Sequence, residues 1–224
     1  MSIDRKELLR VEDYFDKAAY RYDKEHMKNS SCFNEFYKKV TEPIEVTNKA
    51  IRILDLGCGT GLELSNIFLK AKNSMVTGID VSKEMLLKLR EKYSDYSNQL
   101  KLVNDSYETA IILEKSYNYA ISVMSLHHFT YHRKREIYEK ILKSLKRNGV
   151  FIEGDYTVST KKEKEGLIKY KDIIKCNNLA SEKDYHIDIP FAAKTEKKLM
   201  LAAGFSKVKI IFDKGDASVL VAYK

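Results

Sequence analysis

The hydrophobic pattern of the chain alternates between short apolar runs and stretches with helical spacing. Runs rich in β-branched residues predict five strands, which are followed by segments whose apolar residues recur every three or four positions and predict helices. This alternation, with nearly continuous apolar strands, is typical of a mainly parallel sheet covered on both faces. The five predicted strands are residues 51–56, 75–80, 100–103, 119–124 and 150–152.

The two ends of the chain depart from this alternation. Residues 4–23 and 33–40 predict two helices before the first strand, which we interpret as an N-terminal helical cap. Beyond the fifth strand we expect a helix over 160–178, an irregular piece over 181–191 and a short helix over 195–204. Two final strands, 207–212 and 218–223, are close enough in sequence to form an antiparallel hairpin. The pattern predicts an α/β fold, Rossmann-like and doubly wound, with a mainly parallel seven-stranded sheet, an antiparallel C-terminal hairpin and an N-terminal helical cap.

Composition adds little to this picture but narrows the classes of protein. The 224 residues, with 40 basic and 32 acidic side chains, suit one domain with a lysine-rich surface. No apolar run is long enough to span a bilayer, and the mixed charges at the N-terminus are unlike a signal peptide. Three widely spaced cysteines indicate neither a disulfide framework nor a zinc cluster. We therefore expect a cytoplasmic protein that does not contact a membrane and holds no structural metal.

A glycine-rich turn follows the first strand. Its sequence is Asp55-Leu56-Gly57-Cys58-Gly59-Thr60-Gly61, and its glycines allow a ligand to approach the bare backbone. The third glycine comes one position too early for a dinucleotide fingerprint, and no P-loop lysine follows. Asp55 would repel a pyrophosphate but would suit a cationic ligand, such as an ammonium or a sulfonium group.

Polar residues occur at or near the end of every predicted parallel strand. In open α/β sheets, ligands bind outside the carboxyl ends of the strands. The sequence therefore predicts a binding site at that edge, formed around Asp55, Asp80, Asp105, Ser125 and Asp155.

These motifs, taken in order, resemble class I methyltransferases that use S-adenosylmethionine. The resemblance starts with the glycine-rich turn and covers about residues 50–155, with the terminal hairpin in addition. It includes Gly78-Ile79-Asp80-Val81-Ser82, Asn104-Asp105-Ser106, Leu126-His127-His128-Phe129 and Leu145-Lys146-Arg147-Asn148-Gly149. It implies an enzyme with S-adenosylmethionine as cofactor and S-adenosylhomocysteine as product. It also implies a single methyltransferase domain, divided into a cap (1–48), a cofactor-binding core (49–155), a lid or acceptor segment (156–194) and a C-terminal helix with hairpin (195–224).

The resemblance also implies which residues bind the cofactor. The backbone of the glycine-rich turn would pack against its methionine and ribose parts, and Asp80 would accept both ribose hydroxyls. Asp105 would accept from the adenine amino group. The full implied set is Asp55, Gly57, Cys58, Gly59, Gly61, Asp80, Val81, Met85, Asp105, Ser106, Met124 and Ser125.

Two further pairs of residues are candidates for the reaction itself. A sulfonium methyl group is already activated, so a general base is needed only if the acceptor must lose a proton. His127 and His128 follow the fourth strand, and His186 lies with Tyr185 and Asp188 in the late irregular segment; one of the paired histidines is expected to pack structurally, and we select His127 and His186 as the residues that face the site. Tyr14 and Tyr20 lie off the apolar stripe of the first helix, and we expect them to cover the cofactor. For Phe15 and Tyr22, which lie on that stripe, packing in the core and covering the cofactor both stay open.

The acceptor is the least determined part of the prediction. The chain lacks the Asn/Asp-Pro-Pro-Tyr/Phe motif of enzymes that methylate base amino groups, and no cysteine has the context used by pyrimidine C5 enzymes. A small-molecule acceptor is therefore favoured, nucleic acid is disfavoured, and a monomer or homodimer is expected. RNA or protein methylation, or binding of the cofactor without catalysis, remain alternatives.

Overall fold

The computed structural model describes residues 8–27, 30–177, 179 and 185–224. Residues 4–7 of the expected first helix and residues 181–184 of the expected irregular segment lie outside the described residues. No helix in the described ranges is long and apolar enough to cross a membrane.

Seven strands in the described part of the chain form one sheet in the order β3-β2-β1-β4-β5-β7-β6. The first five pair in parallel, and the last two add an antiparallel hairpin next to β5. The predicted fold class is confirmed. The strands are β1 (Arg52–Leu56), β2 (Met75–Asp80), β3 (Leu100–Asn104), β4 (Tyr117–Val123), β5 (Leu145–Tyr156), β6 (Lys207–Asp213) and β7 (Ala217–Tyr223).

Helices cover both faces of this sheet. Adjacent strand residues point to opposite faces, so Ile53 packs in one apolar layer and Leu54 in the other. The helices are α1 (Val11–Met27), α2 (Ser30–Thr41), α3 (Leu64–Lys70), α4 (Lys83–Lys92), α5 (Tyr131–Ser144), α6 (Thr160–Cys176) and α7 (Ala193–Ala202), and the chain also has short 3-10 turns at Ser94–Gln99 and Leu126–His128.

Two predicted boundaries were wrong. The first helix begins at Val11 because the preceding residues are held in an extended strand-like contact. The Leu9 carbonyl accepts the backbone N–H of His186 at 3.0 Å, and Arg10 forms a bridge with Tyr185. The fifth strand begins at Leu145 rather than at Val150, directly after α5 ends at Ser144, because Leu145 already pairs with Tyr117 of β4.

The segment after α6 returns to the site edge of the sheet. Ile187, Ile189 and Phe191 are buried there with Tyr170 of α6 in a separate apolar cluster. The Ile189 N–H donates to the His127 carbonyl at 2.7 Å. This contact places residues 185–191 beside the carboxyl ends of β4 and β5.

Candidate functional site

The glycine-rich turn after β1 adopts a backbone conformation that other residues disfavour. Gly57, Gly59 and Gly61 have φ angles of +69°, +46° and +69°. Their N–H groups donate to the Ile79 carbonyl, the Asp80 carboxylate and the Cys58 carbonyl, at 2.8 Å each. Because these amides already have acceptors, the turn offers a ligand a shaped surface rather than an anion-binding site.

Space around the turn is distributed unevenly. A methyl group added to Gly57 would lie 2.0 Å from the Ser125 hydroxyl oxygen. The turn can therefore lie this close to the residue after β4 only because position 57 has no side chain. A methyl group added to Gly59 would have no atom within 4 Å, so this residue faces open space. The turn is therefore packed on one side and open to a ligand on the other.

Asp80 connects the turn to the end of β2. Its Oδ2 accepts the Gly59 N–H and its Oδ1 accepts the Ser82 N–H, both at 2.8 Å. Each carboxylate oxygen has two lone pairs, so each keeps one acceptor position. Burial raises the pKa of Asp80 to about 6, although both backbone donors oppose this increase. At neutral pH the side chain is an ionised group able to accept hydrogen bonds from two hydroxyls.

Asp105 ends β3 on the neighbouring side of the site. Its Oδ1 accepts the Ser106 N–H at 2.7 Å and the Thr109 hydroxyl at 2.8 Å. Its Oδ2 accepts no hydrogen bond from the described residues. These contacts fix the carboxylate and leave one oxygen for a donor such as an amino group.

These residues border a cavity of about 480 Å³ at the carboxyl edge of the sheet. This volume is in the usual range for small-molecule sites, roughly 300–1,000 Å³. The residues implied by the resemblance that line it are Gly57, Gly59, Asp80, Val81, Met85, Asp105, Ser106, Met124 and Ser125.

Three other residues implied by the resemblance do not line the cavity. Asp55 is fully buried beneath the turn, and burial together with the adjacent Glu63 raises its pKa well above the usual range. A carboxyl group with so high a pKa is neutral and provides no attraction for a cationic ligand. Cys58 and Gly61 are also packed inward, against Gly78 and Leu64. The structure thus gives these three residues places beneath the turn rather than on the cavity wall.

The first helix provides a different pair of aromatic residues from the expected one. Phe15 and Tyr22, for which the sequence left core packing and cofactor cover both open, line the cavity. Tyr20 is 80% exposed and lies under the Lys88 ammonium, and Tyr14 stacks on His186 with ring centroids 3.7 Å apart. Neither Tyr14 nor Tyr20 is part of the cavity lining. The apolar stripe of α1 therefore faces the site, and the prediction for Tyr14 and Tyr20 is corrected.

Two acidic side chains attach α1 to the site. Asp16 accepts the Ser82 hydroxyl at 2.6 Å, and Ser82 also caps α4 by accepting the Met85 N–H. Asp23 accepts the Thr60 hydroxyl at 2.5 Å and pairs with Lys92 at 2.6 Å. Helix α1 is therefore bound to the glycine-rich turn and to the N-terminus of α4, and it covers the cavity between them.

The histidines are arranged differently from the sequence prediction. His128 lines the cavity, whereas His127 and His186 do not. His127 is buried, with Nδ1 2.6 Å from Asp155 Oδ1, and His186 lies beside His128 with ring centroids 4.7 Å apart. We had selected His127 and His186 as the residues facing the site, so His128 replaces them as the histidine on the cavity wall.

Electrostatics around these histidines depend on burial and on two carboxylates. Burial lowers the pKa of His128 to about 4, and the nearby Asp188 carboxylate only partly opposes this change. Burial alone would raise the pKa of Asp155, but the contact with His127 leaves it below its ordinary value. Partial burial alone would raise the pKa of Asp188. The neighbouring histidines have a larger, opposite effect and lower this pKa to about 2. At neutral pH, His128 is uncharged and both carboxylates are ionised.

The sequence reasoning missed several other residues of the site. Arg10 is one of them: it lines the cavity and pairs with Tyr185, a residue of the late irregular segment, only in the folded chain. Tyr107 lines the cavity and lies 3.1 Å from the Ser125 hydroxyl, hydroxyl to hydroxyl. Its position just after Asp105 and Ser106 was the only available signal.

Comparison with known proteins agrees with the fold and with the order of the motifs. A family profile described as a methyltransferase domain matches residues 53–149. The chain is a class I S-adenosylmethionine-dependent methyltransferase. A carboxy-S-adenosyl-L-methionine synthase of Sulfurimonas denitrificans is 28% identical to this methyltransferase over 188 residues, covering 76% of each chain.

Two solved structures share the fold of the methyltransferase at low sequence identity. A putative O-methyltransferase of Nostoc punctiforme has a TM-score of 0.69 and 16% identity, covering 96% of this chain; the chain spans 62% of that protein. A Thermotoga maritima protein described as a possible histamine N-methyltransferase has a TM-score of 0.68 and 15% identity, covering 95% of this chain and 99% of that protein.

The donor set of the methyltransferase suits its cofactor, S-adenosylmethionine. Asp80 has two free acceptor positions for hydroxyls, Asp105 has one for an amino group, and Gly59 leaves the backbone open. A sulfonium methyl group is activated when the cofactor binds. The protein's own part is to position the two reactants and to exclude water.

Proposed function

We propose that this methyltransferase transfers the methyl group of S-adenosylmethionine to a small-molecule acceptor. The main support is the cavity of about 480 Å³, which combines the cofactor-binding motifs with a second wall from other parts of the chain. That wall includes Phe15, His128 and Tyr185. Part of this volume is needed for the cofactor, so only a small acceptor fits in the remainder.

The attachment of α1 supports a small acceptor over a macromolecular one. Asp16 and Asp23 bind the helix to both sides of the cavity opening, as described above. A nucleic acid or a folded protein would have to displace this helix, whereas a small molecule needs only a brief opening. We therefore interpret the net charge of +8 as a property of the general protein surface and not as a binding groove for a nucleic-acid acceptor.

Neutral His128, in the second wall of the cavity, is suited to orient the methyl acceptor. Its pKa of about 4 makes it a weak base at neutral pH, so we expect it to position the acceptor rather than to remove a proton from it. Phe15 and Tyr185 complete a wall that holds one face of the acceptor and excludes water.

A methylation assay over a panel of small acceptors tests this proposal. We expect S-adenosylhomocysteine to form with at least one amine, hydroxyl, thiol or carboxylate compound, and methylation of that compound to show in its mass. Phe15→Ala should raise the acceptor KM more than it lowers cofactor affinity. Methylation of bulk RNA or protein without any small acceptor would contradict the proposal, and so would cofactor binding without turnover on a broad panel.

The similarity to carboxy-S-adenosyl-L-methionine synthases supports a second candidate. A reaction of that kind would make S-adenosylmethionine itself the group that is modified. Mass spectrometry separates the two: methyl transfer leaves S-adenosylhomocysteine, whereas carboxylation gives a cofactor-derived product heavier than S-adenosylmethionine by one CO₂. Finding only the heavier product, with a suitable carboxyl donor, would replace the first proposal.

A further inference from the structure

Four side chains with metal-ligating atoms meet beside the cavity, from segments far apart in sequence. His127 and His128 follow β4, and His186 and Asp188 belong to the segment that follows α6. Ligand atoms of His127, His128 and Asp188 all lie within 4.8 Å of one another. The fold therefore brings two segments about 60 residues apart to one point.

The separations are compatible with ligands that share one metal ion, and two of the three are too long for hydrogen bonds. From Asp188 Oδ1, the distances are 3.1 Å to His128 Nδ1, 3.6 Å to His127 Nε2 and 3.8 Å to His186 Nε2. Ligands about 2.1 Å from a tetrahedral ion are roughly 3.4 Å apart. The distance to His128 is shorter than this value, and the distances to His127 and His186 are longer.

His128 is buried, and its Nδ1 faces the Asp188 carboxylate. The side chain is 7% exposed, and Nδ1 lies 3.1 Å from Asp188 Oδ1 without the alignment of a hydrogen bond. A buried imidazole nitrogen in this position loses the well-aligned hydrogen bond that it would make with water. A metal ion bound by both Nδ1 and Asp188 would satisfy the two groups together.

His127 has the outer contact that metal-binding histidines usually have. Its Nδ1 lies 2.6 Å from Asp155 Oδ1, so the ionised carboxylate accepts a hydrogen bond from Nδ1–H. The other nitrogen, Nε2, then carries the lone pair and is on the side of Asp188. A carboxylate that orients a histidine in this way is a common second contact around zinc.

We propose that His127 Nε2, His128 Nδ1 and Asp188 bind one divalent transition-metal ion, with His186 as a fourth ligand or as a neighbour of a bound acceptor. Imidazole with a single carboxylate suits zinc and similar ions better than magnesium, which prefers oxygen ligands. His128 lines the cavity, so the ion would lie at its wall. An acceptor heteroatom would then be able to bind the ion directly, a step that rests on the proposed function.

Zinc titration of the chelator-treated protein tests the site itself. We expect calorimetry to show one equivalent of bound Zn²⁺, and Co²⁺ to give the visible absorption of a tetrahedral site. His128→Ala and Asp188→Asn should each weaken Zn²⁺ binding tenfold or more, and Mg²⁺ should not compete. Asp188 is largely exposed, so its substitution should leave the fold intact, as circular dichroism will show.

His132→Ala is the matched control, because this histidine is 82% exposed and lies outside the cluster. It should leave Zn²⁺ affinity unchanged. Wild-type protein that binds no Zn²⁺, or binds it as weakly as the Asp188→Asn variant, would overturn the proposed metal site. Formation of S-adenosylhomocysteine with the acceptor panel is measured in the same samples, so a failure of the metal site is distinguishable from a failure of the proposed methyl transfer.

Discussion

The carboxylate of Asp80 accepts the backbone N–H of Gly59 at 2.8 Å, which joins the end of β2 to the most open point of the glycine-rich turn. The same carboxylate accepts the Ser82 N–H with its other oxygen. One side chain therefore holds the turn and the residue that caps α4, and it keeps two acceptor positions toward the cavity. We therefore expect cofactor binding and local folding to depend on the same group.

Replacing Asp80 should weaken cofactor binding in two ways, because it removes acceptors for the cofactor and also releases the backbone that Asp80 holds in place. We expect Asp80→Ala to weaken S-adenosylhomocysteine binding at least tenfold in calorimetry, because two hydroxyl acceptors are lost and Gly59 is released. The exposed Asp95→Ala is the control and should bind normally. Normal affinity in the Asp80 variant would show that this carboxylate does not bind the ribose.

Cofactor binding should also weaken at acidic pH, because the pKa of Asp80 is about 6. Protonation removes one acceptor, so we expect about tenfold weaker binding at pH 5 than at pH 7. The pKa of Asp80 in the folded state exceeds the ordinary value of 3.8, so this group stabilises the folded state as pH falls from about 6 to 4. Unfolding driven by Asp80 would not explain a loss of binding in this range.

Calorimetric titrations of S-adenosylhomocysteine from pH 5 to 7.5 give the required measurement. The Asp80→Asn variant should bind more weakly at every pH and should lose most of the dependence between pH 5 and 7. An unchanged pH profile in this variant would assign the titration to another group.

Two neighbouring glycines should respond differently to the same substitution. Gly57→Ala places a methyl group 2.0 Å from the Ser125 hydroxyl oxygen and should destabilise the fold by about 3 kcal/mol or more. Gly59→Ala meets no atom within 4 Å and should cost only about 1–2 kcal/mol of backbone strain. Its methyl group enters the space that the cofactor needs, so cofactor binding should weaken.

Thermal unfolding and cofactor titration of both variants check this contrast. Equal losses of stability would contradict the packing around Gly57. Normal cofactor affinity in Gly59→Ala would show that the open side of the turn is not the cofactor-binding side.

The local part of the site was predictable from sequence. Asp80, Asp105 and the glycine-rich turn follow strands directly, and the carboxyl ends of parallel strands meet at one edge. The order of strands and helices fixed the fold class for the same reason, since periodicity is a local property.

The non-local part was not predictable. An apolar stripe on α1 indicates that Phe15 and Tyr22 are covered, but not whether the core or a cavity covers them. Adjacent His127 and His128 have the same sequence context, and only the contacts with Asp155 and Asp188 separate their roles. The contact of His186 with His128 joins segments that no local pattern relates.

Release of α1 should weaken cofactor binding without unfolding the protein. Asp23→Ala removes a partly exposed ion pair with Lys92 and leaves the buried Thr60 hydroxyl without its acceptor, so we expect about 1–2 kcal/mol of lost stability. We expect a roughly three- to tenfold rise in the cofactor Kd and faster amide hydrogen exchange in α1. Asp13→Ala on the exposed face of the same helix is the control. Unchanged exchange in α1 would show that Asp23 does not hold the helix.

A buried ionic network behind the site should respond unequally to the loss of its members. Lys134 is fully buried against Glu196, with Glu153 nearby at 3.9 Å. The Tyr138 hydroxyl lies 2.7 Å from both carboxyl groups but has only one proton to donate. One carboxyl group must therefore be protonated. Burial raises the pKa of both carboxyl groups, but Lys134 contacts Glu196 directly and lies 3.9 Å from Glu153, which assigns the proton to Glu153.

Because Glu153 is neutral and Lys134 is charged, the two substitutions should differ in cost. Lys134→Met leaves the Glu196 charge buried without a partner and should destabilise the fold by about 3–5 kcal/mol. Glu153→Gln keeps a neutral group that can donate to Tyr138, and should cost less than about 1 kcal/mol. Urea unfolding measures both values, with the exposed Lys194→Met on α7 as the control. A large loss of stability in Glu153→Gln would place the negative charge on Glu153, and the proton would then belong to Glu196.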